Sequence, residues 1–331
     1  MSLAGISSAQ DPGDRVLMNE DVRDPLPFEF FTGFERLEEH NPILACQPPG
    51  WAAAAHAMVV DDTVHYLWAR HSGRQRWEIM LSTAPVRAPW RIEHDARNPI
   101  LRPAGDGFDD YAVEYPFPFR NPSDGKLYMY YRGKGRNTPE QTGLLVSEGD
   151  VGQWERVGTN PVIPADTDWE RHGSTHPSVA VVGDTIHIIY TGRATDSCEE
   201  ASTICHATAP IADPAHVTKD PGNPVFSGTD RGWDRYAVRE AEFFVGPEYF
   251  HILYGGFDGK AWRVGHVRTK DFRTFEPNPN NPVFEPSPDP DAWDCDGVLT
   301  PQIVRIGDRH YMVYAGRRGR EWQTGLAAGE S

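Results

Sequence analysis

The stretch NPVFSGTDRGWDRYAVREAEFF, residues 223–244, decides the fold because the chain repeats its outline. Asn-Pro followed by two apolar residues occurs at Asn41, Asn98, Asn160, Asn223 and Asn281, at intervals of 57, 62, 63 and 58 residues. Each copy is followed by a segment carrying a large aromatic: PPGWAAAAH, DGFDDYAVEYP, TDWERHGSTHP, RGWDRYAVREAE and DAWDCDGVLTP. A fixed period of this kind marks repeated supersecondary units.

Within each period the apolar pattern is that of short strands rich in β-branched and aromatic residues, separated by turn residues. A second strand ends in Tyr or Trp (VHYLWAR, LYMYYRG, IHIIYTGR, FHILYGG, HYMVYAGR), a third follows, and a fourth runs into the next Asn-Pro. No long helical period interrupts them. The pattern predicts an all-β chain, a five-bladed β-propeller of four-stranded antiparallel blades. A stack of β-sandwich domains is the competing arrangement, and the regular spacing argues against it. The C-terminal TGLAAGES reads as a third strand, and FERLEEHNPIL (34–44) reads like the fourth strand WERVGTNPVI (154–163). The N-terminal strand is therefore expected to complete the last blade, removing an open sheet edge. Residues 1–33 are then an N-terminal arm and 34–331 a single propeller domain.

The chain carries 48 acidic against 32 basic residues, a formal net charge of -16. That balance excludes nucleic acid as a partner and disfavours an anionic membrane surface. No signal peptide is visible and no apolar run approaches a membrane helix, so a cytoplasmic protein is expected. Cys46, Cys198, Cys205 and Cys295 lack zinc spacing and read as free thiols. No metal or other cofactor is assigned, although a cation in the channel is conceivable.

In a propeller the first strand of each blade lines the central channel. Aligned on the repeat aromatic, the inner positions seven residues later are Tyr115, His176, Glu240 and Thr300. His56 is taken as their counterpart in a shortened first blade. One residue earlier stand Glu114, Thr175, Arg239 and Leu299, and the approach loops add Asp109, Asp110, His172, Asp294 and Asp296. Asp109, Asp234 and Asp294 follow the aromatic directly and read as turn caps. Arg70, Arg132, Arg193 and Arg317 follow the second strand and are expected to neutralise carboxylates or bind substrate hydroxyls. Two carboxylates are what hydrolysis of a glycosidic bond needs, one protonated to assist the leaving group and one ionised. Arg239–Glu240 is open to a second reading, as a structural ion pair.

The blade rhythm, GWDRYAVREAEFF and AWDCDGVLTPQIV…YMVYAGR resemble the five-bladed propeller glycosidases, the superfamily of glycoside hydrolase families 32, 43, 62, 68, 117 and 130. The resemblance spans residues 34–331. It implies an inner-strand Asp as base or nucleophile, often before Pro, then a pKa-tuning Asp, then a Glu as acid. This chain has no Asp-Pro at the aligned positions and offers His56 where that catalytic Asp is expected. The resemblance implies Glu240 as general acid and Glu114 or Asp110 as base or nucleophile. It implies His176 in the tuning place, Asp296 on substrate hydroxyls, and Glu242 as the reserve acid. His56, His172, Arg239, Arg132, Arg193 and Arg317 complete the expected substrate-binding or tuning set. The expected activity is hydrolysis of a furanoside or another small glycoside. Phosphorolysis of a mannoside is the alternative, with Arg132, Lys134 and Arg136 of YYRGKGR as phosphate binders. A sugar-binding propeller without catalysis is the third reading.

Overall fold

Gly183 and Gly307 sit at φ +58° and +61° in the two-residue connections VVGDT and RIGDR, a region glycine enters without steric cost. Such turns fold the third and fifth periods back on themselves as antiparallel strands, while the second and fourth use longer loops between Arg120 and Leu127 and between Val245 and Phe250. The computed structural model describes residues 26–46, 50–71, 76–197, 201–229, 231–246 and 248–329. Five antiparallel units can be traced in it. The first is β2 (Trp51–Val60), β3 (Thr63–His71), β4 (Glu78–Pro85) and β5 (Glu93–His94). The second is β6 (Ala112–Arg120), β7 (Leu127–Lys134), β8 (Glu140–Ser147) and β9 (Glu155–Arg156). The third is β10 (Gly173–Val182), β11 (Thr185–Arg193), β12 (Ser202–Pro210) and β13 (Thr218–Lys219). The fourth is β14 (Ala237–Val245), β15 (Phe250–Phe257), β16 (Trp262–Thr269) and β17 (Phe275–Pro277). The fifth is β18 (Gly297–Ile306), β19 (Arg309–Arg318) and β20 (Glu321–Ala328), completed by β1 (Glu35–Arg36) from the other end of the chain. β1 lies antiparallel to β20, with Glu35 opposite Ala328 and Arg36 opposite Ala327, the closure expected from the sequence.

No hydrogen-bonded sheet closes on itself among the described residues; pairing runs along two separate paths. The ring is made by packing instead. The inner strands touch in cyclic order, β2 on β6, β6 on β10, β10 on β14, β14 on β18 and β18 on β2. This places the beginnings of all five inner strands at one mouth.

The repeated residues have repeated jobs. Each Asn of the Asn-Pro signature pairs its side-chain amide with one backbone position of the third strand, donating at 2.6–2.9 Å and accepting at 2.7–2.8 Å. The amide thus continues the ladder where the chain turns away. Of the three carboxylates expected to cap turns, Asp234 does accept from the Thr229 N–H of its own loop at 3.2 Å, and all three have a further task. Asp109, Asp234 and Asp294 are buried and accept hydrogen bonds from the second-strand hydroxyls of Tyr131 (2.8 Å), Tyr254 (2.9 Å) and Tyr314 (3.1 Å). Glu170 accepts in the same way from Tyr190 in the third unit. A buried carboxylate needs such partners, and Arg156, Arg36 and Lys219 add a cation to Asp109, Asp294 and Glu170. The neighbouring aromatics pack closely against glycines: a Cβ at Gly256 or Gly265 would collide with Trp233, and one at Gly316 or Gly325 with Trp293.

Most of the N-terminal arm lies outside the described residues, but its end explains how the ring is finished. The connection between third and fourth strands inserts an apolar residue beside the preceding unit: Val151 with Leu67, Ile211 with Tyr130, Phe272 with Ile189. The fifth unit's connection is interrupted by the chain ends. Phe31, in the 3-10 turn Phe28–Thr32, fills the remaining place beside Phe244 and Leu253 of the fourth unit. It is fully buried, its ring stacked on His266 (3.7 Å) and His251 (4.9 Å). Phe31→Ala is expected to cost roughly 3–5 kcal/mol in urea denaturation. A loss near zero would show that the fourth unit is packed without it.

Candidate functional site

Each inner strand is interrupted at one level. Pairing to the second strand skips between Ala53 and His56, Glu114 and Phe117, Thr175 and Ser178, Arg239 and Glu242, and Leu299 and Gln302. The first extra residue in each interruption has a left-handed backbone: Ala54 (φ 53°), Tyr115 (50°), His176 (55°), Glu240 (52°) and Thr300 (50°). Such backbone is strained outside glycine, costing roughly 1–3 kcal/mol per residue, and bulges re-aim side chains. All five residues line one small central pocket that opens at the mouth.

The alignment seven residues after the aromatic therefore found four of the five pocket positions. It misplaced the first unit. Ala54 is the counterpart of Glu240, while His56 lies one level deeper, in register with Glu242. The cause is Trp51, which begins β2 opposite His71, where the other units have small residues. It is not the half-buried repeat aromatic of the other units.

Tyr115, His176 and Glu240 form one wall. The Tyr115 hydroxyl donates to Glu240 Oε1 at 3.1 Å, and Arg239 pairs with the same oxygen. His176 Nε2 lies 3.4 Å from both Glu240 Oε1 and Arg239 Nη2. Burial, and then the charges of Arg239 and Arg132, hold His176 well below the usual imidazole range, so it is neutral. Glu240 is raised by burial, with the Arg239 guanidinium and the Tyr115 hydroxyl pulling the other way. Thr191 Oγ accepts from the Glu240 N–H at 3.0 Å and supports the bulge.

Glu242 faces the same pocket in different company. Burial raises its carboxyl well above the usual range, a hydrogen bond from Ser178 opposes this, and the charge of Glu240 reinforces it. No ion pair to Glu242 occurs among the described residues, and its Oε2 is buried without a partner. At the same depth, His56 is lowered to about 3 by burial and receives Gln302 Nε2 at 2.7 Å.

The other expected site residues stand elsewhere. Glu114 is behind the wall, bonded to Arg132 at 2.7 Å, and burial pushes it up to about 7 against the pull of that arginine. Asp110 is in the approach loop, paired with Arg136 at 2.7 Å. His172 and Asp296 precede β10 and β18 directly, at the mouth, where Asp296 accepts from Gly319 N–H at 2.7 Å. The arginines are not equivalent to one another. Arg193 and Arg317 share a register opposite Gly173 and Gly297, whereas Arg132 lies opposite Glu114 and Arg70 opposite Ala52. Arg193 is tied to Glu140 (2.5 Å), Arg317 donates to Asp296 O (3.1 Å), and Arg70 pairs with Glu78 (2.8 Å). Cys46, Cys205 and Cys295 are free, and Cys198 lies outside the described residues. No group of three metal-ligating side chains is close enough to hold an ion among the described residues.

Solved structures of similar shape include several glycoside hydrolases. A glycoside hydrolase superposes with a TM-score of 0.70 at 14% identity, covering 91% of this chain and 91% of that one. A structure from work on mannoside phosphorylases of family GH130, including hydrolases targeting β-1,2 mannosidic linkages in Candida mannan, gives 0.68 at 16% identity, covering 94% and 99%. A glycosyl hydrolase from Bacteroides ovatus gives 0.68 at 16%, covering 92% and 95%. The fold is that of the glycoside hydrolase propellers. In sequence, a β-1,2-mannobiose phosphorylase from Thermoanaerobacter sp. is 26% identical over 121 residues, 32% of this chain and only 39% of that enzyme. No family model matches the chain.

Proposed function

We propose that the protein is a carbohydrate-active enzyme that hydrolyses a furanoside or related small glycoside, with Glu240 and Glu242 as its carboxylate pair. The observation that carries this reading is that two acids face one pocket from unlike surroundings. Like charges crowded together cannot both ionise easily, and the one without a cation keeps its proton. Glu242 is then the proton donor to the departing oxygen. Glu240, beside Arg239, is the ionised partner that activates water or attacks the anomeric carbon. This exchanges the role expected for Glu240 from the sequence. Glu114 and Asp110, held in ion pairs outside the pocket lining, have no part in the proposal.

Phosphorolysis is the second reading, favoured by the partial match to the mannobiose phosphorylase. Its proposed basic cluster is already engaged: Arg132 by Glu114 and Glu140, Arg136 by Asp110, and Lys134 lies 3.9 Å from Glu140. The test is turnover of aryl furanosides, aryl pyranosides and β-1,2-mannobiose, with and without phosphate. Turnover independent of phosphate and lost in Glu240→Gln is expected. Strict phosphate dependence would make the enzyme a phosphorylase. Full activity in Glu240→Gln would remove that residue from the mechanism.

A further inference from the structure

The large apolar side chains most exposed among the described residues are Trp51, Tyr111 and Tyr236, at 36%, 46% and 49%. They are not scattered. Trp51 opens β2, and Tyr111 and Tyr236 immediately precede β6 and β14, so all three stand at the mouth where the inner strands begin. At roughly 3.3 Å per residue, Trp51 lies about 10 Å above Ala54, and Tyr236 and Tyr111 about 13 Å above Glu240 and Tyr115. Two of the rings are also fixed. The Trp51 indole N–H donates to Arg320 O at 2.7 Å and its ring meets Trp77 edge-on at 4.8 Å. Gly259 (φ +93°) lies under the Tyr236 ring, where a Cβ would come within 2.9 Å of it, and the Arg235 guanidinium lies 4.9 Å from its centroid. An exposed aromatic held rigid offers a face to a ligand at little entropic cost.

The pocket beneath presents few apolar faces to stack a sugar ring: besides the wall of Tyr115, His176 and Glu240, its lining is Ala, Pro, Thr, His56 and Glu242. A substrate of one sugar would not reach the mouth. We propose that Trp51, Tyr111 and Tyr236 form a second carbohydrate-binding position, holding the leaving-group sugars of an oligosaccharide whose terminal ring occupies the pocket. This rests on the glycosidase reading and makes the substrate an oligosaccharide. The acidic neighbour Asp296 and the imidazole of His172 occupy the equivalent position before β18 and β10, adding hydrogen-bonding groups around the aromatic faces.

Binding separates this inference from catalysis. β-1,2-linked manno-oligosaccharides and arabinofuranose oligosaccharides of two to four residues would each be titrated against the corresponding monosaccharide, by calorimetry and tryptophan fluorescence. Wild type, Trp51→Ala and Tyr236→Ala would be compared. The expected result is tighter binding of an oligosaccharide than of its monosaccharide. Each substitution should weaken the oligosaccharide roughly three- to tenfold and leave the monosaccharide unchanged. Equal affinities for long and short ligands, or oligosaccharide binding untouched by both substitutions, would overturn the mouth position, whatever the turnover. Weakened oligosaccharide binding by a protein that hydrolyses nothing would keep the mouth position and sink the glycosidase reading instead.

Discussion

Glu242→Gln is expected to slow hydrolysis of glycosides with poor leaving groups by roughly 10²–10⁴-fold, the contribution of a positioned general acid. Aryl glycosides whose phenol departs without a proton should be far less affected. The contrast follows from the chemistry: an amide cannot protonate the departing oxygen, but a leaving group that needs no proton does not miss it. Glu240→Gln removes the ionised partner and should abolish turnover of both classes alike. The pH profile supplies a second signature. Glu242 must be protonated to act, so activity should be lost as pH rises through its elevated pKa, and the amide variant should lack that basic limb. Steady-state kinetics on nitrophenyl and alkyl glycosides decide the matter. If Glu240→Gln shows the leaving-group dependence and Glu242→Gln does not, Glu240 is the acid, as the sequence first suggested.

The parts of this site that were legible in the sequence are those set by backbone register. Tyr115, His176, Glu240 and Thr300 recur at one distance from an aromatic because every unit enters its inner strand the same way, so counting along the chain was enough. The pairing of β1 with β20 was legible for the same reason: FERLEEHNPIL repeats a fourth strand. Counting failed at Trp51, a mouth residue that looks in sequence like the half-buried repeat aromatic of the other units. It failed again wherever the decisive neighbour lies on another strand. Whether Glu240 or Glu242 keeps its proton depends on Arg239, Tyr115 and Ser178 converging in space. Asp109 and Asp294 looked like turn caps because their tyrosine partners are 22 and 20 residues away. Arg132 looked available for phosphate because neither Glu114 nor Glu140 is adjacent to it in sequence.

The arginines point to the largest expected loss of stability. Glu140, at the start of β8, is buried between Arg132 and Arg193, the latter 2.5 Å from Oε2, and so joins the second unit to the third behind the pocket wall. Burial alone would raise its carboxyl, but the two guanidiniums more than offset this and hold it below the ordinary value. Glu140→Gln leaves Arg132 with Glu114 and Arg193 with the Asp196 carbonyl oxygen, and removing one partner of a buried ion-pair network of this kind costs roughly 3–5 kcal/mol. The sign of the pH dependence is fixed. A carboxylate lowered on folding stabilises above its unfolded pKa, and that stability is lost as pH falls through the folded value. Urea denaturation should therefore show a large gap between wild type and variant at pH 7 that narrows well below pH 4.5. Glu148→Gln, whose carboxylate is 82% exposed, should show almost no gap. A Glu140 gap below about 1 kcal/mol at pH 7 would mean that water or a shifted side chain replaces the carboxylate. The pocket wall would then owe its position to the bulges of β6 and β10 rather than to the charges behind them.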